Sequence, residues 1–168
     1  MLSIRPKWVE KIANGEKTIE VRKTKPKLDT PFKCYIYCTQ SGVALGAWGK
    51  HGKVIGEFTC DHIDRLAPAN EPYGIYDIDD DYVLQTCLEN GALWDYGNGT
   101  PLYGWHISDL RIYDQPRELT EFRRACQNSW YCESCAMYWE NNGTCGNESL
   151  QIRRPPQSWC YVEVMKDE

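Results

Sequence analysis

The segment from Pro6 to Arg22 constrains the fold most, because its hydrophobic period changes part-way along. Trp8, Val9 and Ile12 recur at helix spacing behind Pro6, a residue suited to opening a helix. From Thr18 to Arg22 the pattern alternates as in a strand, so Glu20 and Arg22 face the same side. Asn14-Gly15 separates the two, glycine being the residue that tolerates the left-handed conformation at a helix C-terminus. Residues 2–5 are strand-like as well, so strand, helix and strand follow one another within the first 22 residues.

Further strand signals lie at Phe32–Thr39, Lys53–Ile63, Tyr103–Arg111 and Ser158–Val164, rich in β-branched or aromatic residues. Asp77 to Asn90 reads as a second helix with Asp79, Asp80 and Asp81 at its start, where carboxylates cap free amides and complement the helix dipole. A short helix is expected around Leu119–Ala125. This order predicts an α+β protein, a small β-barrel with flanking helices. A length of 168 residues suits one domain, 1–168.

Residues 126–150 differ, being rich in Cys, Asn and Gly without a clear period, and read as an insertion. Cys126, Cys132, Cys135 and Cys145 place four thiols within twenty residues, a spacing suited to a closed structural zinc site; an iron–sulfur cluster or free thiols are the other readings. Cys34 and Cys38 share a strand face and read as small core residues, as do Cys60, Cys87 and Cys160. No apolar run approaches the roughly 20 residues of a membrane helix, and no signal-peptide core opens the chain. The expectation is a cytoplasmic protein with thiols rather than disulfides and no membrane partner.

Charge narrows the partner. The net charge of −5 argues against a general polyanion binder, yet residues 1–33 hold nine Lys/Arg against four Asp/Glu, and the remainder ten against twenty. A local positive field in an acidic protein suits one anionic ligand better than a long duplex. Gly15-x-Lys17-x-x-Glu20-x-Arg22 lies within that region and brings an ammonium, a carboxylate and a guanidinium to one opening, apt for a phosphate or a polarised carbonyl. A surface ion pair beside a tight turn is the other reading of the same spacing.

The pattern GxKxxExR, preceded by a strand and a helix carrying Pro6 and Trp8 and followed by strands such as Val54–Phe58, resembles the signature of the ASCH superfamily. The resemblance implies a PUA-like barrel whose signature lines a cleft for RNA or a modified nucleoside, with Gly15, Lys17, Glu20 and Arg22 as matching positions and Arg5 and Trp8 beside them. It also implies a hydrolase as an alternative, because some small bacterial members are amidohydrolases of N4-acetylcytidine that use a lysine, a threonine and a glutamate. Their lysine matches Lys17, but Glu20 stands where their threonine nucleophile falls. A carboxylate there could act as a base toward water but not as that nucleophile.

Two aromatic segments flank the cysteine-rich stretch: Tyr103–His106 and Arg153–Trp159. Trp105 and Trp159 are either core residues or stacking platforms for a base, with Arg154 or Gln157 reading an edge. His106 reads as a hydrogen-bonded structural histidine. The leading expectation is a binder of RNA, a nucleotide or a nucleoside. A hydrolase acting through Lys17 and Glu20 is the second, and a protein-interaction module using 126–150 the third.

Overall fold

The structure, a computed structural model, describes residues 1–40, 51–70, 74–126, 135–140 and 145–164. In chain order the elements are β1 (Leu2–Ile4), α1 (Pro6–Ala13), β2 (Ile19–Arg22), β3 (Phe32–Cys38), β4 (Val54–Cys60), β5 (Ile63–Leu66), α2 (Asp80–Thr86), α3 (Asn90–Gly97), β6 (Leu102–His106), β7 (Ser108–Arg117), β8 (Phe122–Arg124), α4 (Ala136–Glu140) and β9 (Val162–Val164). The α+β class holds. A four-stranded sheet runs β1-β3-β4-β7, a three-stranded sheet β2-β6-β5, and β8 pairs with β9. β1 lies parallel to β3; the other ladders are antiparallel.

Both larger sheets contribute to one core. Leu2 and Ile4 of β1, Ile36 of β3, Ile55 and Phe58 of β4 and Ile12 of α1 pack in one cluster with Trp105 of β6. Each such side chain, when fully buried, contributes roughly 1.5–3 kcal/mol. The outer face of the three-stranded sheet is covered separately, by Tyr76, Leu93 of α3 and the half-buried Tyr82 and Trp94 on Val21, Leu66 and Leu102. Gly104 of β6 lets this helical layer approach: a side chain there would run into the Tyr82 hydroxyl.

Several expected elements are divided. The region Lys53–Ile63 breaks at Asp61-His62, leaving β4 in one sheet and β5 in the other. Tyr103–Arg111 likewise divides at Ile107 between β6 and β7. The helix expected over Asp77–Asn90 ends at Thr86, because Cys87 adopts φ 54°, and resumes as α3 after Glu89. Its N-terminal reading stands, since the Asp79 carboxylate accepts from the Tyr82 amide at 2.8 Å. Around Leu119–Ala125 a single 3-10 turn, Leu119–Glu121, leads into strand β8.

Cys34, Cys38 and Cys60 are buried as expected, and burial pushes the Cys34 and Cys60 thiols up to about 12. Cys87 and Cys160 are half-buried. Among the described residues, no helix is long and apolar enough to cross a membrane.

Candidate functional site

The helix-to-strand change around Gly15 builds the site. The Gly15 amide donates to the Ile12 carbonyl and the Glu16 amide to the Lys11 carbonyl, the paired bonds of a Schellman terminus, with Gly15 at φ 75°. The chain reverses there and delivers Lys17 to the head of β2. Gly15 itself is exposed and stands outside the cleft lining, so its part is conformational. In β2, Val21 faces the helical layer, which leaves Glu20 and Arg22 on the opposite side, toward the interior between the sheets. Glu20 is paired in register with Trp105, the residue that fills that interior.

Lys17, Glu20 and Arg22 are all buried, at 2%, 6% and 7% exposure. One Glu20 oxygen lies 3.0 Å from Arg22 Nη2 and the other 3.5 Å from Lys17 Nζ. Backbone oxygens satisfy more of the cations' donors: Lys17 Nζ donates to the Thr86 carbonyl at 2.6 Å and Arg22 Nη2 to the Ser3 carbonyl at 2.9 Å. The Thr86 carbonyl is available because α2 stops there, and the negative end of the helix dipole adds to the attraction. Arg22 Nη1 reaches the Ser158 carbonyl and hydroxyl only at 3.4 Å, and Arg22 Nε–H is buried with no partner among the described residues. Burial pushes the Lys17 ammonium below the ordinary lysine range, an effect that Glu20 partly offsets.

These groups line a cleft of about 530 Å³. Among the described residues its charged lining comprises Arg5, Lys7, Lys17 and Arg22 against the single carboxylate of Glu20. Trp8 forms part of the wall, its ring centroid 4.3 Å from Lys7 Nζ and 5.2 Å from Lys17 Nζ. Arg5, Trp8, Lys17, Glu20 and Arg22, singled out in the sequence, therefore meet at one opening. Tyr96 of α3, Thr39 and Ser3 also line the cleft, and the sequence does not single them out.

The C-terminal aromatics divide. Gln157 and Ser158 line the cleft, whereas Trp105 is 2% exposed in the core and stacks edge-on against Phe32 at 5.7 Å. Burial there rules out a stacking role for Trp105 in this conformation. Trp159 is tied elsewhere, its indole N–H donating to Thr24 Oγ1 at 2.9 Å. His106 is hydrogen-bonded, as expected of a structural histidine: its Nε2 lies 2.6 Å from Asp64 Oδ2, and His62 Nε2 lies 2.8 Å from the other oxygen. Burial raises the Asp64 carboxyl, but these two histidines outweigh it and hold the group below its ordinary range.

Of the four proposed zinc ligands, Cys135 is exposed and Cys126 and Cys145 are half-buried; Cys132 lies outside the described residues. Among the described residues, no three His, Cys, Asp or Glu side chains come together as a metal site.

Comparison with known proteins places this geometry in a family. Residues 2–138 match the model of the ASCH domain. The crystal structure of ASCH from Zymomonas mobilis superposes with a TM-score of 0.57 at 17% identity, over 98% of this chain and 85% of that one. A tyrosine-to-phenylalanine mutant of the Zymomonas mobilis protein gives 0.54 at 16% identity, over 98% and 88%. At such identities the likeness concerns the fold. No curated protein matches the chain.

Proposed function

The chain belongs to the ASCH domain family, a PUA-like fold of the nucleic-acid-binding kind, and on that premise we propose that its cleft holds a nucleotide, free or within RNA. One observation carries the proposal: among the described residues, two buried cations share a single buried carboxylate at the cleft floor, leaving one positive charge without a counter-ion there. An isolated buried charge is expensive, and an incoming phosphate or polarised carbonyl would neutralise it where water competes poorly. The Arg22 Nε–H supplies a spare donor. Trp8 offers a planar wall for a base, and the exposed Gln157 amide at the rim can read a base edge.

Isothermal titration of the four nucleoside monophosphates and their parent nucleosides tests this reading. Each monophosphate should bind at least about tenfold more tightly than its nucleoside, the effect of one charge-assisted contact of about 1.4 kcal/mol. Equal affinities, or no binding of either, would remove the anion from the cleft.

The hydrolase reading asks Glu20 to take a proton from water. Both its oxygens are instead held by cations, and the residue is 6% exposed, which favours a structural and electrostatic role over that of a base.

Zinc bound by Cys126, Cys132, Cys135 and Cys145 is a separate proposal supported by spacing alone. Protein purified without added metal should contain about one zinc per chain by elemental analysis. Metal-free protein with all four thiols open to alkylation would dismiss it.

A further inference from the structure

A second groove, of about 630 Å³, lies at the surface beside β8 and is lined by Arg124, Glu148, Gln151, Ile152, Arg153 and Arg154 with Ser149. Its floor is anchored. Ile152 is 2% exposed and packs with Phe122, and residue 151 forms a backbone bridge with Arg123. The three arginines are exposed, and among the described residues none of them stands in an ion pair. Neighbouring arginines behave otherwise: Arg123 pairs with Glu163 at 3.1 Å and Arg117 with Glu121 at 2.6 Å. In a protein of net charge −5, three guanidiniums that face, among the described residues, the one carboxylate of Glu148 form a local anion-attracting surface.

The same chain segment continues into the cleft. After Arg154 come Pro155 and Pro156, then Gln157 and Ser158, which line the cleft wall. The Pro156 carbonyl accepts from Ser3 Oγ at 2.6 Å and the Ser158 carbonyl from the Ser3 amide at 2.9 Å, so this connection is pinned to β1. Three residues span at most about 11 Å, so the nearest arginine stands within reach of a short oligonucleotide leaving the cleft.

We propose that Arg124, Arg153 and Arg154 hold the backbone phosphates of a single-stranded RNA whose neighbouring nucleotide occupies the cleft. The inference rests on the cleft reading above and extends it from a mononucleotide to a polynucleotide ligand. A single strand is required because a base can leave its stack and enter the cleft only when unpaired. Arginine suits the task, since its planar fork binds phosphate oxygens in pairs, and three such contacts add affinity without reading sequence.

The test compares a cytidine monophosphate, a cytidine hexanucleotide and an RNA duplex of the same length on wild type and on the Arg124→Ala/Arg153→Ala/Arg154→Ala variant. Circular dichroism verifies that the variant is folded. Wild type should bind the hexamer at least tenfold more tightly than the monophosphate. The variant should bind the monophosphate as wild type does while losing that gain. Its log affinity for the hexamer should depend on log salt with a slope shallower by about two, at about 0.7 per phosphate released from a single strand. Monophosphate binding with no gain from length, or a gain that survives in the variant, overturns the groove and leaves the cleft reading standing. An equal gain with the duplex overturns the single-strand assignment. Failure of the monophosphate to bind wild type defeats the cleft reading, and this inference with it.

Discussion

Glu20→Gln is expected to lower the unfolding free energy by about 3–5 kcal/mol, the cost typical of removing one partner from a buried ion pair. The substitution keeps shape and one carbonyl acceptor but removes the charge opposite Lys17 and Arg22, which are 2% and 7% exposed. The two cations respond differently. Arg22 cannot shed its proton, so its charge stays buried opposite a neutral amide. Lys17 can, and its ammonium is already held below the ordinary range by burial, with Glu20 opposing that effect. A lysine with a depressed folded-state pKa costs stability while protonated in the fold, and this cost fades as pH rises through the folded value toward the unfolded one. Without Glu20 the folded value drops further, so the Lys17 part of the variant's deficit should fade as pH rises from that lower value to the wild-type one, while the Arg22 part persists. Urea midpoints across neutral to alkaline pH measure both. A deficit below about 1 kcal/mol at neutral pH would place the network in water, where exposed pairs contribute that little.

The same triad shows what is legible in a sequence and what is not. Gly15 can be identified because a helix terminus with a left-handed residue has a local requirement that glycine meets. Alternation along β2 then assigns Glu20 and Arg22 to one side without knowledge of any partner strand. Sheet membership has no such local marker. Lys53–Ile63 reads as one run, yet the corner at Asp61-His62 carries the chain from β4 in one sheet to β5 in the other. That corner is fixed partly by the His62 carbonyl, which accepts from the His106 amide at 3.0 Å, a contact made across the fold.

The site's hidden parts have the same origin. Thr86 and Ser3 serve through backbone carbonyls, which every residue type possesses, so no side chain signals them. Thr86 further depends on α2 stopping at a non-glycine residue in the left-handed region, Cys87, against the expectation of a continuous helix. The arginine groove joins residues 124 and 153–154 across a segment without clear period, and long-range contacts, Phe122 of β8 packing beside Ile152 and the Arg123–Gln151 bridge, bring them together. Trp105 and Trp159 illustrate the converse. Both look apt for stacking in the sequence, while burial of one and the Thr24 hydrogen bond of the other assign them to the fold.

Lys17→Ala should weaken nucleotide binding by about 1–3 kcal/mol, or some five- to 150-fold, the range for a charge-assisted hydrogen bond made away from water. The fold should survive better than in Glu20→Gln, because the Glu20 carboxylate keeps its 3.0 Å contact with Arg22 after the lysine has gone. A pH series separates loss of charge from loss of shape. In the free protein, burial holds the Lys17 ammonium below 10.5, so affinity for a phosphate should be level while the group is protonated and fall as pH rises through that lowered value. Cytidine monophosphate is the suitable probe, since its base does not titrate on the alkaline side. Wild type should show the alkaline decline; Lys17→Ala, already weak, should show none from this group. Lys17→Arg, whose guanidinium stays protonated, should bind without the decline wherever the larger head fits beside the Thr86 carbonyl. Parallel profiles for wild type and Lys17→Ala, with affinities equal within a few fold, would mean that the anion sits elsewhere and that the buried ammonium serves only to hold Glu20 and the end of α2 in place.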